Sequence, residues 1–219
     1  MLSEQAHCQK SGSTGGHQFL IFTFEKKDCF SKEWFMNSVE RVLLLHNLSC
    51  INSFSLKCSV LHDAFRVKSW VTAAAKDGIQ KLSLHMREQN WRNDCDVLIF
   101  GTRLEVFKYF GKCSNYYTLD GISSVVEACI HVYNWVLGSE RDADQVNKLL
   151  SALPNAKSMS LSSGTIKVLD CAAELFEMLP LPVFYNLAIF IWVQLIVMVR
   201  HCRGYCRTLC ILKLLPLTK

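Results

Sequence analysis

The chain has 219 residues, half of them apolar, and its 24 basic and 19 acidic residues give a formal net charge of +5. This length and apolar content suffice for one or two globular domains, or for one short repeat domain with a buried core. Because the charge is mild and Lys and Arg never form a run of five, a nucleic-acid partner is not expected.

Residues 1–18 are polar and include the glycine- and serine-rich stretch Ser11–Gly16, so we predict a disordered lead. A phosphate-binding loop would end in Gly-Lys-Ser or Gly-Lys-Thr, and here His17 follows the glycines instead. The start of the chain also lacks the apolar stretch of a secretory signal peptide. We therefore expect a cytoplasmic or nuclear protein whose eleven cysteines are reduced thiols.

The first regular elements follow this lead. Phe19–Phe24 is rich in aromatic residues and includes β-branched ones, which predicts a strand. Ser31–Leu45 begins with a serine suited to capping and places apolar residues on one helical face, which predicts an amphipathic helix. A second helix is predicted over His62–Ala75 and ends before Gly78, because glycine suits the left-handed backbone that follows many helices.

An apolar pattern of the form L-x-x-L-x-L recurs along the chain, first at Ile51–Leu56 and again at Ile79–Leu84. Looser copies begin at residues 104, 125, 156 and 187, so the steps counted from residue 51 are 28, 25, 21, 31 and 31 residues. Repeats of roughly 20–29 residues with this spacing are typical of leucine-rich repeats, whose units each contribute one strand and a helical or irregular return. The pattern predicts an α/β fold, namely a short, incomplete leucine-rich-repeat solenoid with parallel strands.

Several longer segments resemble the leucine-rich-repeat (LRR) region of plant F-box/LRR proteins. The similarity covers roughly residues 19–190 and is carried by Phe35–His46, Phe54–Cys58, Val67–Ala74, Ile79–Leu84, Leu119–Ala128, Val146–Leu161, Thr165–Leu169 and Leu179–Leu187. In that family the repeats recognise the substrate of an SCF-type ubiquitin ligase, and a helical F-box binds a Skp-type adaptor. The resemblance implies a repeat domain over residues 19–190 that recognises a protein partner and is not itself an enzyme.

The chain departs from that family in two places. The residues before Phe19 are too few and too polar to form an F-box, so adaptor binding is not expected. The polar run Arg87–Asp94 lacks the apolar pattern at a point where the family usually has further repeats. These departures leave open the alternative that the chain is a truncated or mis-predicted gene product with little independent function.

The segment Leu179–Val199 contains 21 residues without a charged side chain and is followed by three arginines. A membrane-spanning helix needs about 20 apolar residues, and basic residues mark its cytoplasmic side. A tail-anchored, membrane-associated protein is therefore a second alternative, although Pro180 and Pro182 interrupt the segment.

Residues 191–219 form an atypical apolar and basic tail. When the residues from Val193 onwards are translated back with permitted codons and read from the third base of each codon, one possible reading contains the sequence L-E-A-L-A-L. This is the same apolar pattern as in Ile79–Leu84. The coincidence supports the hypothesis of a shifted reading frame near Trp192, which the nucleotide sequence of the transcript would test.

No group of residues has the spacing of a catalytic, cofactor or metal site. Cys202, Cys206 and Cys210 recur every four residues, without the C-x-x-C pairs of a zinc site. The seven histidines are scattered, and the common hydrolase and metalloprotease motifs are missing from the sequence. We therefore expect no enzymatic activity, no cofactor and no metal ion.

Candidate binding residues lie within the predicted strands. The residues on either side of the fourth position of the apolar pattern should point away from the core, because successive strand side chains alternate between faces. Stacked repeats would present them as one concave surface for a protein partner. An ordinary solvated sheet face is the alternative, because small serines contribute little binding energy. The predicted binding residues are Ser53, Ser55, Lys81, Ser83, Val106, Lys108, Glu127, Cys129, Ser158 and Ser160.

Overall fold

A computed structural model of the chain describes residues 6–14, 17–25, 31–45, 51–59, 64–76, 78–87, 96–112, 116–133, 140–173, 184 and 186–193. These ranges contain four helices and ten strands. The helices are α1 (Lys32–Leu45), α2 (Ala64–Lys76), α3 (Glu140–Ser151) and α4 (Ser163–Ala173). The strands are β1 (Ala6–Thr14), β2 (His17–Glu25), β3 (Ile51–Ser59), β4 (Lys81–Arg87), β5 (Asp96–Phe100), β6 (Val106–Gly111), β7 (Tyr116–Asp120), β8 (Glu127–Val132), β9 (Ser158–Ser162) and β10 (Ile189–Val193).

Eight of these strands form the main sheet, in the order β1-β2-β3-β4-β6-β8-β9-β10. β1 pairs with β2 in antiparallel orientation, and the seven strands from β2 onwards in that order run parallel to one another. The order of the seven parallel strands in the sheet follows their order in the chain. β5 and β7 form a separate two-stranded parallel sheet. The predicted mixed α/β class with parallel strands is therefore confirmed.

The length of each repeat step matches the kind of element that leads to the next strand. Helices α2, α3 and α4 lie in the steps of 28, 31 and 31 residues, whereas β5 and β7 lie in the steps of 25 and 21 residues. The 13 residues of α2 span about 20 Å, because a helix rises roughly 1.5 Å per residue. The five residues of β5 span about 16 Å, because a strand rises roughly 3.3 Å per residue. A connection between strands that contains an extended segment in place of a helix therefore covers a similar distance with fewer residues.

The hydrophobic core lies between the main sheet and the helices. All three apolar positions of the L-x-x-L-x-L pattern are buried in each of its first five copies. Val39 of α1 and Val71 of α2 contribute fully buried side chains from the helical layer. The buried pattern residues are Ile51, Phe54, Leu56, Ile79, Leu82, Leu84, Leu104, Phe107, Tyr109, Val125, Ala128, Ile130, Ala156, Met159 and Leu161.

The ends of the first two helices follow local signals in the sequence. The backbone N–H of Trp34 donates to Ser31 Oγ at 3.1 Å, so Ser31 caps α1 as predicted. Gly78 follows α2 with a φ of 78°, a left-handed conformation that suits glycine. Arg66 of α2 then joins the two helices, because it donates two hydrogen bonds of 2.6 Å to the Glu40 carboxylate of α1. This guanidinium lowers the pKa of Glu40, which keeps the pair charged at neutral pH.

One hydrogen-bond arrangement repeats just before the parallel strands. The carbonyl oxygen of Gln80 accepts the N–H groups of Glu105 and Val106, at 2.8 and 3.0 Å. The carbonyls of Glu105, Val126 and Lys157 each accept two successive N–H groups of the next unit in the same way. Equivalent positions of successive units therefore make equivalent contacts, and these contacts align the starts of neighbouring strands.

The N-terminal part differs from its prediction. Ala6–Thr14 forms strand β1, where the sequence predicts a disordered lead over residues 1–18. Its pairing with β2 depends on backbone N–H and C=O groups and needs no apolar pattern. β2 begins at His17, two residues before the predicted start at Phe19.

The C-terminal part is described as far as Val193. Ile189–Val193, in the middle of Leu179–Val199, pairs with β9 as a parallel strand, whereas the tail-anchor alternative requires a helix there. Within the described ranges, no helix has the length and apolar character needed to span a membrane. Two sets of predictions lie outside the described residues. One concerns residues 194–219, which include Cys202, Cys206 and Cys210 and carry the frame-shift hypothesis, and the other concerns the polar run at 88–94.

Candidate functional site

The outward face of the main sheet, opposite the core, carries all ten predicted binding residues. Each of them is followed in its strand by a buried residue, and burial alternates strictly along β6, β8 and β9. The strand register aligns them into two rows that cross five neighbouring strands, so the structure brings the predicted residues together on one surface. The first row is Ser53, Lys81, Val106, Glu127 and Ser158, and the second row is Ser55, Ser83, Lys108, Cys129 and Ser160.

Both rows continue onto the flanking strands, which the sequence prediction does not include. On the β2 side they include Ile21 and Thr23. On the β10 side they end with Ile189 and Ile191, whose side chains leave about half of their surface exposed. The two isoleucines flank the fourth position of the sixth copy of the apolar pattern. The rule that finds the other outward residues would therefore find these as well.

A third row lies two residues further along the strands and consists of Glu25, Lys57, His85, Phe110 and His131. The rings of His85 and Phe110 stack with centroids 4.0 Å apart and planes inclined by 13°. His131 meets Phe110 edge-on, with centroids 4.8 Å apart and planes inclined by 70°. The sequence prediction misses this row because the apolar pattern ends before it. The continued alternation of buried and outward residues is the signal that would locate it.

Charged side chains on this face form two ion pairs between neighbouring strands. Lys57 Nζ lies 2.6 Å from Glu25 Oε1, and Lys108 Nζ lies 2.8 Å from Glu127 Oε1. The four side chains are between 33% and 46% exposed, so each pair stabilises the fold by at most about 1 kcal/mol. Lys81 is exposed and forms no ion pair with a residue that the structure describes.

Two partly buried titratable groups lie next to each other on β8. Burial raises the pKa of the Cys129 thiol, so the thiol stays protonated at neutral pH. Burial lowers the pKa of His131, so its ring stays neutral, and its Nε2 lies 3.4 Å from Ser160 Oγ. Covalent catalysis would need the opposite shift at the cysteine, toward a thiolate. This arrangement is therefore suited to packing and hydrogen bonding.

In the part of the chain that the structure describes, no three side chains of the His, Cys, Asp and Glu types are grouped so that they could hold a metal ion.

Comparison of the chain with protein-family models, with curated protein sequences and with solved structures gave no match. The outward sheet face is thus the feature from which a function can be inferred.

Proposed function

We propose that the chain is a protein-recognition module without enzymatic activity, and that it binds a partner protein through the outward face of its main sheet. The supporting observation is the register of the outward side chains. Two rows cross all seven parallel strands and a third crosses five of them, which forms one extended surface. Repeat proteins bind their partners on surfaces of this kind.

The fold that we propose for this module is a short leucine-rich-repeat solenoid. Its strands follow chain order in the sheet, and the apolar pattern supplies the buried residues of five of them. The hydrogen bonds before the strands also repeat from unit to unit. In a solenoid each unit contacts mainly its neighbours, and the open sheet face stays accessible to a partner.

The proposed role follows from the resemblance to plant F-box/LRR proteins, whose repeats recognise the substrate of a ubiquitin ligase. The chain would perform such recognition without binding the Skp-type adaptor itself. We place the protein in the cytoplasm or nucleus, in keeping with the free thiol of Cys129.

Site-specific photo-crosslinking tests the proposed surface. A photoreactive amino acid replaces Ser83 or Ser160 on the outward face, or replaces Lys167, which is exposed on α4, as the matched control. In a plant cell extract, both face positions should give the same protein adduct, and the position on α4 should not. Adducts of equal yield from Lys167, or none from the two face positions, would contradict the proposal.

The partner identified in this way provides a second measurement. Ser83→Trp places a bulky side chain in the middle of the face and should weaken binding of the purified partner by about tenfold or more. Lys167→Trp is the matched control and should leave the affinity unchanged. Equal effects of the two substitutions would argue against the outward face as the binding surface.

A further inference from the structure

We infer that the centre of the outward face binds the carboxylates of an acidic segment of the partner protein. This inference rests on the proposed recognition function and specifies the chemistry of the partner. It depends on the arrangement of basic side chains around two serines, Ser55 and Ser83.

Ser55 of β3 and Ser83 of β4 lie opposite each other in the second row. Neighbouring strands are about 4.8 Å apart, and outward residues of one strand follow each other at about 6.6 Å. On its other side Ser83 faces Lys108 of β6. Lys81 precedes Ser83 by two residues, and Lys57 follows Ser55 by two residues. Lysines from three adjacent strands thus surround two small hydroxyl side chains, and we call this group the basic centre.

The acidic residues of the face lie outside the basic centre. Glu25 of β2 and Glu127 of β8 pair with its lysines from the flanking strands. The strands β3, β4 and β6 themselves contain no Asp or Glu. Lys81 has no acidic partner among the residues described. Three lysines against two glutamates leave an excess of one positive charge, which complements an acidic ligand.

A carboxylate can enter the basic centre at little cost. The ion pairs of Lys57 and Lys108 are partly exposed, so sharing their ammonium groups with a ligand loses little stability. The hydroxyl groups of Ser55 and Ser83 can donate hydrogen bonds to the same carboxylate. A doubly charged phosphate group would instead favour arginines and a larger excess of positive charge. An aspartate or glutamate side chain is therefore the better match.

The test uses the full chain and a fluorescein-labelled oligoglutamate peptide, with binding measured by fluorescence anisotropy. Lys81→Gln and Lys108→Gln should each weaken binding about three- to fivefold. Lys81→Arg keeps the charge and should retain binding. Lys167→Gln removes an exposed lysine from α4 and is the matched control, which should leave the affinity unchanged. Circular dichroism checks that each variant is folded.

The sharpest expectation concerns Glu127, because its carboxylate competes with the ligand for Lys108. Glu127→Gln should tighten binding of oligoglutamate about two- to threefold. Glu33→Gln, which removes an exposed acidic residue of α1, should leave it unchanged. Adding Lys108→Gln to Glu127→Gln should abolish the gain, because the gain acts through Lys108.

Equal losses in Lys81→Gln and Lys167→Gln would indicate attraction to the overall charge of the chain and would overturn the inference. An unchanged affinity in Glu127→Gln would overturn it too. So would binding of a phosphoserine peptide of equal charge that is about tenfold tighter. If these tests fail while Ser83 still crosslinks to a protein, the recognition function stands and only the acidic partner is excluded. Without crosslinks from the outward face, both proposals fall.

Discussion

His85 of β4 and Phe110 of β6 stack face to face on the outward side of the main sheet, with ring centroids 4.0 Å apart. Their strands are neighbours about 4.8 Å apart, so the register places the two rings at stacking distance. His131 continues the row on β8. The three rings lie next to one another in the third row, beside the second row of outward residues.

The stability of the chain should depend on pH through His131. Burial lowers the pKa of His131 from its usual value of 6.5, so the folded state favours the neutral ring. The unfolded state then binds more protons than the folded state, and the free energy of unfolding falls as the pH falls. The stability associated with the neutral ring is complete above about pH 6.5 and is lost as the pH drops through the folded-state pKa.

Urea denaturation at about pH 7.5 and about pH 5 measures this dependence. The sequence contains six other histidines, so the wild-type chain must be compared with His131→Gln. The variant should lose less stability between the two pH values than the wild-type chain does. An equal or larger loss in the variant would show that His131 is not the group responsible.

Two adjacent residues of β4 should differ strongly in their tolerance of alanine. Leu84 is fully buried, so Leu84→Ala should lower the free energy of unfolding by about 2–5 kcal/mol through lost apolar contacts and a cavity. Ser83 points outward, so Ser83→Ala should change it by less than about 0.5 kcal/mol. Urea denaturation followed by circular dichroism measures both. Losses of similar size would mean that the inward and outward faces of β4 are assigned wrongly.

Thr165 should be needed for its hydroxyl group. It is fully buried at the start of α4, where Oγ1 donates to Ile130 O at 2.8 Å and accepts the Val132 N–H at 2.9 Å. Thr165→Val keeps the shape but removes the hydroxyl that pairs with both backbone groups, so the free energy of unfolding should fall by about 1–3 kcal/mol.

The matched control is Thr165→Ser, which retains the hydroxyl and loses one methyl group, at a cost of about 0.8 kcal/mol. Thermal and urea denaturation of the two variants give the comparison. A valine variant as stable as the serine variant would mean that these hydrogen bonds contribute little.

The positions of the parallel strands could be predicted because the apolar residues of the repeated pattern are buried residues of the core. Ile51, Phe54 and Leu56 are buried for the same reason as the equivalent residues of the later copies, since each copy meets the core in the same way. Once the copies are equivalent, parallel pairing places equivalent residues side by side. The row that contains Ser55 and Ser83 could be predicted from this alone.

Other features of the fold depend on contacts between residues that are distant in the sequence, and no local sequence pattern predicts such contacts. Ala6–Thr14 pairs through its backbone and so has no side-chain signature. The steps of 25 and 21 residues are the shortest of the five. The pairing of β5 with β7, however, depends on how two successive segments that connect strands of the main sheet lie against each other. The residues next to His85, Phe110 and His131 in the sequence form no pattern that would predict contacts between these rings. Their rings meet only because the register brings three strands together.

The chain should not bind a Skp-type adaptor. The proposed role gives the chain the recognition part of an F-box/LRR protein and not the helical F-box that the adaptor of that family contacts. A pull-down of the purified chain with a tagged adaptor, with an F-box/LRR protein as the positive control, should recover only the control. Recovery of the chain at a similar level would contradict this prediction. It would also change the proposed role, because a chain that binds the adaptor directly would not need a separate F-box subunit.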